Sequence, residues 1–575
     1  MAQPRNIVIV GGVAGGMSCA ARLRRLDEDA KITIFEKGPY ISYANCGIPY
    51  ALGGVIESEA KLHVMTAAKV ESWFNIDVRS DSELVSIDRS SKTVQVQSQA
   101  NPEPQTVPYD KLVLALGAEA FRPPIKGINA PHVFTLQTIP QLQQVEGFIA
   151  QTTTTQKCQN AVVIGGGFIG LEAAENLVFK GLNVTLLEVL PHVMPPVDTD
   201  MAEPLHKELR RNGVSLMMSA KIGEIVAPTD SEAGYVTVTV GGEELKVPAD
   251  MVIVATGVRP RIAIPQAAGL ETTRGGMVVN EHMQTSDPDI YAVGDMAATP
   301  NLITGTDMNL ALAGPANRQG RMAADHICGR ETRYRGNVAT SVCKVFDLSV
   351  ATVGFSTEAL TRMGKTFEYV TVHPPDHASY YPGAEPMTLK VAFEPPSGTL
   401  LGAQIVGAKG VDKRIDVLAM AIRAGMTIFD LEHVELAYAP PYGSAKDPVN
   451  MAGFCGSNVL RGDVKIVHAA SLGVKGEGIE GYEVVDVRTP GEFAQGHVKG
   501  AKNIPLNDLR ERSGEIQKES PVIVYCKVGY RGYLAYRILK QKGFDVFNLD
   551  GGFKAVSEGG YDALCAEKSS LAACN

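Results

Sequence analysis

Over the first two-thirds of the chain, short β-branched runs alternate with Ala- and Leu-rich amphipathic stretches. That rhythm predicts α/β units on parallel sheets. An apolar strand at Asn6–Val10 is followed by Gly11-Gly12-Val13-Ala14-Gly15-Gly16 and a helix through Ala20, Ala21 and Leu23. A second strand, Ile32–Phe35, then ends at Glu36. The same order returns later: Ala161–Ile164, then Gly165-Gly166-Gly167-Phe168-Ile169-Gly170, a helix through Ala173, Ala174 and Leu177, and Val184–Leu187 ending at Glu188. The repetition predicts two Rossmann-like dinucleotide folds in series. From about residue 335 the texture changes to an α+β domain of roughly 120 residues, with strand-like Thr388–Phe393 and Leu401–Val406 before a helical Val411–Ala424. Glu483–Val487 opens a last α/β unit after the polar stretch Gly473–Gly481, and the residues from about Ala566 read as a frayed tail.

Composition narrows the class. A chain of 575 residues is too long for one core, so several domains are expected. The net charge of −9 argues against nucleic-acid or acidic-membrane partners, which call for a basic surface. No apolar run approaches the roughly 20 residues of a membrane span. The N-terminus runs straight into a strand, leaving no room for a signal peptide. The nine cysteines lack metal-type or CxxC spacing, so no metal site is expected. Reduced thiols and a cytoplasmic location are expected.

The Gly loops carry the first chemistry. Gly165, Gly167 and Gly170 complete the G-x-G-x-x-G pattern, with Glu188 placed to accept from ribose hydroxyls. At the first loop Gly11 and Gly16 fit, with Glu36 as the acid, but Val13 takes the middle glycine position. Thr285–Asp295, ending in Gly294-Asp295, resembles the second flavin motif of the two-dinucleotide-binding flavoproteins. Leu112–Gly117 and Ile253–Gly257 resemble the connecting strands of that family. The resemblance spans about residues 5 to 330 and implies FAD on the first fold, with Asp295 near its ribityl and pyrophosphate, and NADH, with NADPH as the alternative, on the second.

Ser42-Tyr43-Ala44-Asn45-Cys46-Gly47-Ile48-Pro49-Tyr50 holds one cysteine and no CxxxxC pair. A single thiol of lowered pKa can attack a sulfur–sulfur bond. This string resembles the single-cysteine branch of the disulfide reductases: coenzyme A disulfide reductases, NADH peroxidases and NADH oxidases. The peroxidases and oxidases typically carry a His in the first Gly loop; Ala14 stands here, which favours a thiol or persulfide substrate. The resemblance implies coenzyme A contacts from Arg22, Arg25, Ser42 and Asn45. Tyr438–Asp447 looks like the end of that family's dimerisation domain, which implies a homodimer. By the same resemblance Tyr438 and Tyr381 serve as acid/base or hydrogen-bond donors to a leaving thiolate.

Near the C-terminus, Asp486-Val487-Arg488, Glu492-Phe493, Gly496-His497 and Gly500–Pro505 resemble the opening of rhodanese domains. The strand Pro521–Tyr525 ends in Cys526-Lys527-Val528-Gly529-Tyr530-Arg531-Gly532, a loop whose amides favour a thiolate or persulfide anion. Lys527 and Arg531 add positive charge there. The whole resembles coenzyme A disulfide reductase–rhodanese fusions of the FAD-dependent pyridine nucleotide-disulfide oxidoreductase family. The expected architecture is α/β: two Rossmann-like dinucleotide-binding domains, an α+β dimerisation domain and a C-terminal α/β rhodanese domain. The boundaries are FAD at 1–120 and 256–330, NAD(P)H at 121–255, dimerisation at 335–455, a linker at 456–473 and rhodanese at 474–565, and the long connection near residues 456 to 481 is expected to permit handover by tethering. The implied activity is NAD(P)H-driven reduction of coenzyme A persulfide, polysulfide or coenzyme A disulfide, with Cys46 and Cys526 as the chemical thiols. A coenzyme A disulfide reductase with an accessory rhodanese domain, or a redox-sensing sulfur carrier, are the alternatives.

Overall fold

The computed structural model describes residues 4–98, 100–155, 158–229, 232–473 and 481–566. Asn6–Val10 is the middle strand of a parallel sheet ordered Ile290–Ala292, Lys111–Leu114, Asn6–Val10, Lys31–Phe35, Asp77–Arg79. Asn160–Ile164 is the middle of a second, ordered Ser215–Met217, Asn183–Leu187, Asn160–Ile164, Met251–Val254, Val133–Phe134 and also parallel. Both middle strands are buried almost throughout, which is why they read as unbroken apolar runs rather than as alternation. The helix Ala14–Arg24 lies tightly against Ala313–Ile327: a Cβ added at Gly320 would stand 2.2 Å from the Gly15 carbonyl oxygen.

These two sheets lie in one compact unit, Met1–Val189 with Gly213–Ala339; the second unit is Leu190–Asn212 with Thr340–Asn575. Residues 190–212, expected inside the nicotinamide domain, therefore pack with the C-terminal half. The physical reason is a buried charge cluster: the Lys390 ammonium reaches Asp198 at 3.1 Å and Asp200 at 2.6 Å, fastening the start of the helix Thr199–Arg211. Lys390 and Tyr561 lie near the same carboxylates, and Asp198 is held down at about 2 against its burial by Lys390 and by hydrogen bonds from the Glu358 N–H, Thr357 and Gln404.

The second unit holds an antiparallel sheet ordered Ser341–Val345, Leu348–Gly354, Thr399–Gly407, Met387–Glu394, Glu368–Val372. It also holds a parallel sheet ordered Ile466–Val467, Val546–Leu549, Val522–Tyr525, Glu483–Asp486, Lys502–Asn503. Residues 456–473 are not the expected linker. The helix Pro448–Leu460 runs into them, and Ile466–Val467 pairs with Asn548–Leu549 as the outer strand of the parallel sheet. The connection near residues 456 to 481, expected to permit handover by tethering, carries helix and strand as far as Gly473. The Thr371 N–H, on the edge strand of the antiparallel sheet, donates to Asp550 at 2.9 Å. His468 stands between Glu368 (2.8 Å) and Asp550 (3.4 Å), its ring stacked on Tyr369 at 3.6 Å. Burial alone would lower the His468 pKa; Asp550 and Glu368 outweigh it and push it up to about 9. Residues 474–480 of the polar stretch, and the tail beyond 566, lie outside the described residues. Among the described residues no helix is long and apolar enough to cross a membrane.

Candidate active sites

Both Gly loops have the geometry a dinucleotide needs. Gly11 and Gly165 adopt φ of +104° and +106°, a left-handed conformation that only glycine takes without strain. A Cβ at Gly16 or Gly170 would sit 1.8 or 1.9 Å from the carbonyl oxygen of Gly11 or Gly165, so each helix starts hard against its own loop. The capping residues Val13 and Gly167 make no side-chain cap hydrogen bond, which leaves the first helical N–H groups available to a pyrophosphate. Around Gly167 a Cβ would meet nothing within 4 Å, room that suits close approach of a ligand. The acids are oriented by the loops themselves: Glu36 accepts from the Gly12 and Gly38 N–H groups at 2.7 and 2.8 Å, and Glu188 from Gly166 at 2.6 Å. Asp295 lies in the turn Gly294–Met296, and burial pushes its carboxyl up, as suits a group awaiting hydroxyl donors. These residues fit FAD at the first loop and a nicotinamide dinucleotide at the second.

Cys46 lies in the short turn Asn45–Gly47, just before the helix Ile48–Leu52, and is exposed. The Asn45 side-chain oxygen accepts from the Cys46 N–H at 3.1 Å and faces the thiol at 3.7 Å. Ser42, at φ +47°, turns the chain into this motif through its N–H bond to the Gly12 carbonyl (2.8 Å). The surrounding protein groups raise the thiol pKa rather than lower it. Partial desolvation, then the Glu172 and Asp295 carboxylates, push it up. Glu172 is a residue that the sequence reading missed: it sits on the helix Phe168–Phe179 and accepts from the Tyr50 hydroxyl at 3.0 Å. An acid two residues past the last loop glycine was the available signal. Arg22 and Arg25 part company. The Arg22 guanidinium is held by Asp325 at 2.7 Å and largely buried, whereas Arg25, just past the last turn of the helix Ala14–Arg24, is exposed.

In the second unit the Tyr438 hydroxyl meets that of Tyr380, not Tyr381, at 2.7 Å. Tyr381 instead sets its ring edge-on to His377, 5.8 Å between centroids. Tyr380 and Tyr438 are both exposed. The sequence does not distinguish Tyr380, because two adjacent tyrosines carry no signal for which one turns toward Tyr438.

Cys526 follows the strand Val522–Tyr525 and is buried, with the Gly529 N–H donating to its Sγ at 3.2 Å. Gly529 caps the helix Tyr530–Gln541, so this amide and the helix start favour an anionic sulfur. Arg531 lies near Cys526 and is gripped by both oxygens of Glu492, at 2.7 and 2.8 Å. Arg531 holds the Glu492 carboxyl down at about 2. Lys527 is exposed at the mouth of the loop. Asp486 takes the guanidinium of Arg488, buried beneath Phe553, at 2.6 Å.

With the geometry in hand, comparison with known proteins adds three domain matches. Residues 5–320 match the pyridine nucleotide-disulphide oxidoreductase family, 340–447 its dimerisation domain, and 474–558 the rhodanese-like domain. A coenzyme A disulfide reductase of Staphylococcus haemolyticus is 34% identical over 452 residues, covering 78% of this chain and 99% of that protein. The crystal structure of reduced Bacillus anthracis CoADR-RHD superposes with a TM-score of 0.92 at 43% identity, covering 97% of this chain and 98% of its own. An NAD-dependent persulfide reductase from A. fulgidus gives 0.87 at 36% identity, over 95% and 99%. A water-forming NADH oxidase from Lactobacillus brevis, at 24% identity and a TM-score of 0.74, shares the fold.

Proposed function

The chain belongs to the pyridine nucleotide-disulphide oxidoreductase family, and on that premise we propose that it reduces coenzyme A persulfide, polysulfide or coenzyme A disulfide through Cys46, with a rhodanese domain handling sulfane sulfur. The observation that carries this is one accessible thiol in the flavin-domain motif joined, in one chain, to a second thiol in a persulfide-stabilising loop. FAD, when bound, supplies the path by which two electrons and a proton equivalent from NADH reach the thiol. The Cys46 thiolate attacks the S–S bond of the substrate: one sulfur–sulfur bond forms as another breaks, and sulfide or a thiolate leaves. Two-electron reduction of the resulting mixed disulfide or persulfide returns Cys46 and releases the second thiol or sulfide. Ser42, Asn45 and Arg25 line the approach of coenzyme A, with Arg22 held by Asp325. Two copies of the chain pair through their dimerisation domains, and the Tyr380–Tyr438 hydroxyl pair donates to the departing thiolate. Cys526, with Lys527 and Arg531 beside it, carries sulfane sulfur from a donor.

A substrate panel tests the reading: NADH oxidation with coenzyme A persulfide, coenzyme A disulfide, polysulfide and peroxide, on wild type and Cys46→Ser. Multiple turnover with the sulfur substrates, and loss of at least about two decades in the variant with flavin still bound, is expected. Turnover with peroxide alone, or a fully active variant, refutes it.

A further inference from the structure

The two tyrosine loops are joined at three levels, and the deepest is a buried ion pair. At the exposed end the Tyr380 and Tyr438 hydroxyls meet at 2.7 Å. Below them the Ala378 N–H donates to the Gly443 carbonyl at 2.9 Å. At the base lies Arg414, on the helix Val411–Arg423 and only 1% exposed. Its guanidinium forks. One side donates to the Asp447 carboxylate, from Nη2 at 2.9 Å and from Nε at 3.2 Å. Nη2 also reaches the Asp376 backbone carbonyl at 2.7 Å, and Nη1 the Gly410 carbonyl at 3.2 Å.

Each partner controls one loop. The Asp376 carboxylate accepts from the Glu385 N–H and faces His377 Nδ1, both at 2.7 Å, closing the loop that carries Tyr380 and Tyr381. Asp447 caps the helix Pro448–Leu460 through the Val449 N–H and so ends the segment that starts at Tyr438. Gly410 is part of the device: a Cβ there would lie 2.2 Å from Arg414 Nη1. A planar, forked cation can hold a carboxylate and a separate carbonyl together; a lysine, a point charge on a flexible stem, cannot hold both in fixed relation.

We propose that Arg414 is a positioning residue for the reductive chemistry. By fastening the Tyr380 loop to the Tyr438 segment from below, it fixes the hydroxyl pair offered to the leaving thiolate. This rests on the reading that the tyrosines serve that thiolate. The test is a double-mutant cycle in the full-length holoenzyme: Arg414→Lys, Tyr438→Phe and the double variant, assayed with NADH and coenzyme A disulfide. Sulfur transfer from thiosulfate through Cys526 and flavin content, on the same preparations, report folding. If Arg414→Lys does not fold, Asp447→Asn, which keeps the cap shape, replaces it. The expected result is a kcat lowered by about tenfold or more in each single variant, with KM for the disulfide little changed. The double variant is expected to be no slower than Tyr438→Phe alone, since positioning has nothing left to position. Multiplicative losses, or an unchanged kcat in the Arg414 variant beside an impaired Tyr438→Phe, overturn the inference and leave the tyrosine reading standing. A Tyr438→Phe of wild-type kcat overturns the tyrosine reading itself, and Arg414 with it.

Discussion

The nicotinamide loop makes a quantitative prediction about which coenzyme is used. Glu188 is 6% exposed, and its Oε2 is fixed by the Gly166 N–H at 2.6 Å, so it cannot swing away from the ribose position. A 2′-phosphate there would bring a negative charge to within roughly 5 Å of the carboxylate. At an effective dielectric of ~20 this costs about 3 kcal/mol per unit charge. Salt screens a half-buried pair weakly, so most of that survives in buffer. About 3 kcal/mol is roughly two decades in kcat/KM, in favour of NADH. Glu188→Gln keeps the size of the side chain and an oxygen for Gly166 while removing the charge. It is expected to narrow the NADH:NADPH ratio by about tenfold or more, mainly through a lower KM for NADPH. Steady-state rates with both coenzymes on both proteins decide the matter. Wild-type ratios within about threefold, or a ratio untouched by Glu188→Gln, refute the electrostatic argument.

Three further outcomes are expected. Because Arg22 is tied to Asp325 while Arg25 is exposed, Arg25→Glu should raise KM for coenzyme A disulfide more than for inorganic polysulfide; equal rises would make Arg25 a solvated surface charge. Cys526→Ser should abolish sulfur transfer from thiosulfate yet leave reduction of coenzyme A disulfide largely intact, and parallel losses in the two assays would break the division of labour. His468 carries a raised pKa of about 9, against ~6.5 in an unfolded chain, so its contribution is complete below pH ~6.5 and fades as pH rises through 9. Over that window the second unit should lose about 3 kcal/mol of stability to denaturant, a slope that His468→Gln should flatten; an identical slope in the variant would refute the bridge.

What the sequence revealed follows from how local each signal is. The Gly loops, their acids, Cys46 and Cys526 are legible because strand, turn and helix start lie within a few residues of one another, and each position is set by backbone geometry. The connection from Gly456 to Gly473 reads as a linker because its strand, Ile466–Val467, is two residues long, too short for any periodicity to register. Arg22 looked available for a phosphate because its partner, Asp325, lies 303 residues away. Tyr380 and Tyr381 are neighbours in the sequence, and which of them meets Tyr438 follows from contacts between distant segments, such as the Ala378 N–H to the Gly443 carbonyl. The placement of residues 190–212 was hidden for the same reason: Asp198 finds Lys390 192 residues further on.

The two-residue strand Ile466–Val467 bears on how this chain can be divided. The rhodanese match begins at residue 474, but the sheet of that domain begins at Ile466, a few residues behind the helix Pro448–Leu460. The start of the family match and the start of the sheet therefore do not coincide. A C-terminal fragment cut at the homology boundary would lack its outermost strand and leave Val546–Leu549 as a bare edge, the kind of surface that recruits strands from other molecules. It would also lack His468, which faces Asp550 at 3.4 Å. To be separable, the domain has to take part of its neighbour's exit segment with it, from about Asp463 onward. The fusion is thus woven by a shared stretch of chain rather than joined end to end, and whichever domain is removed takes something from the one left behind.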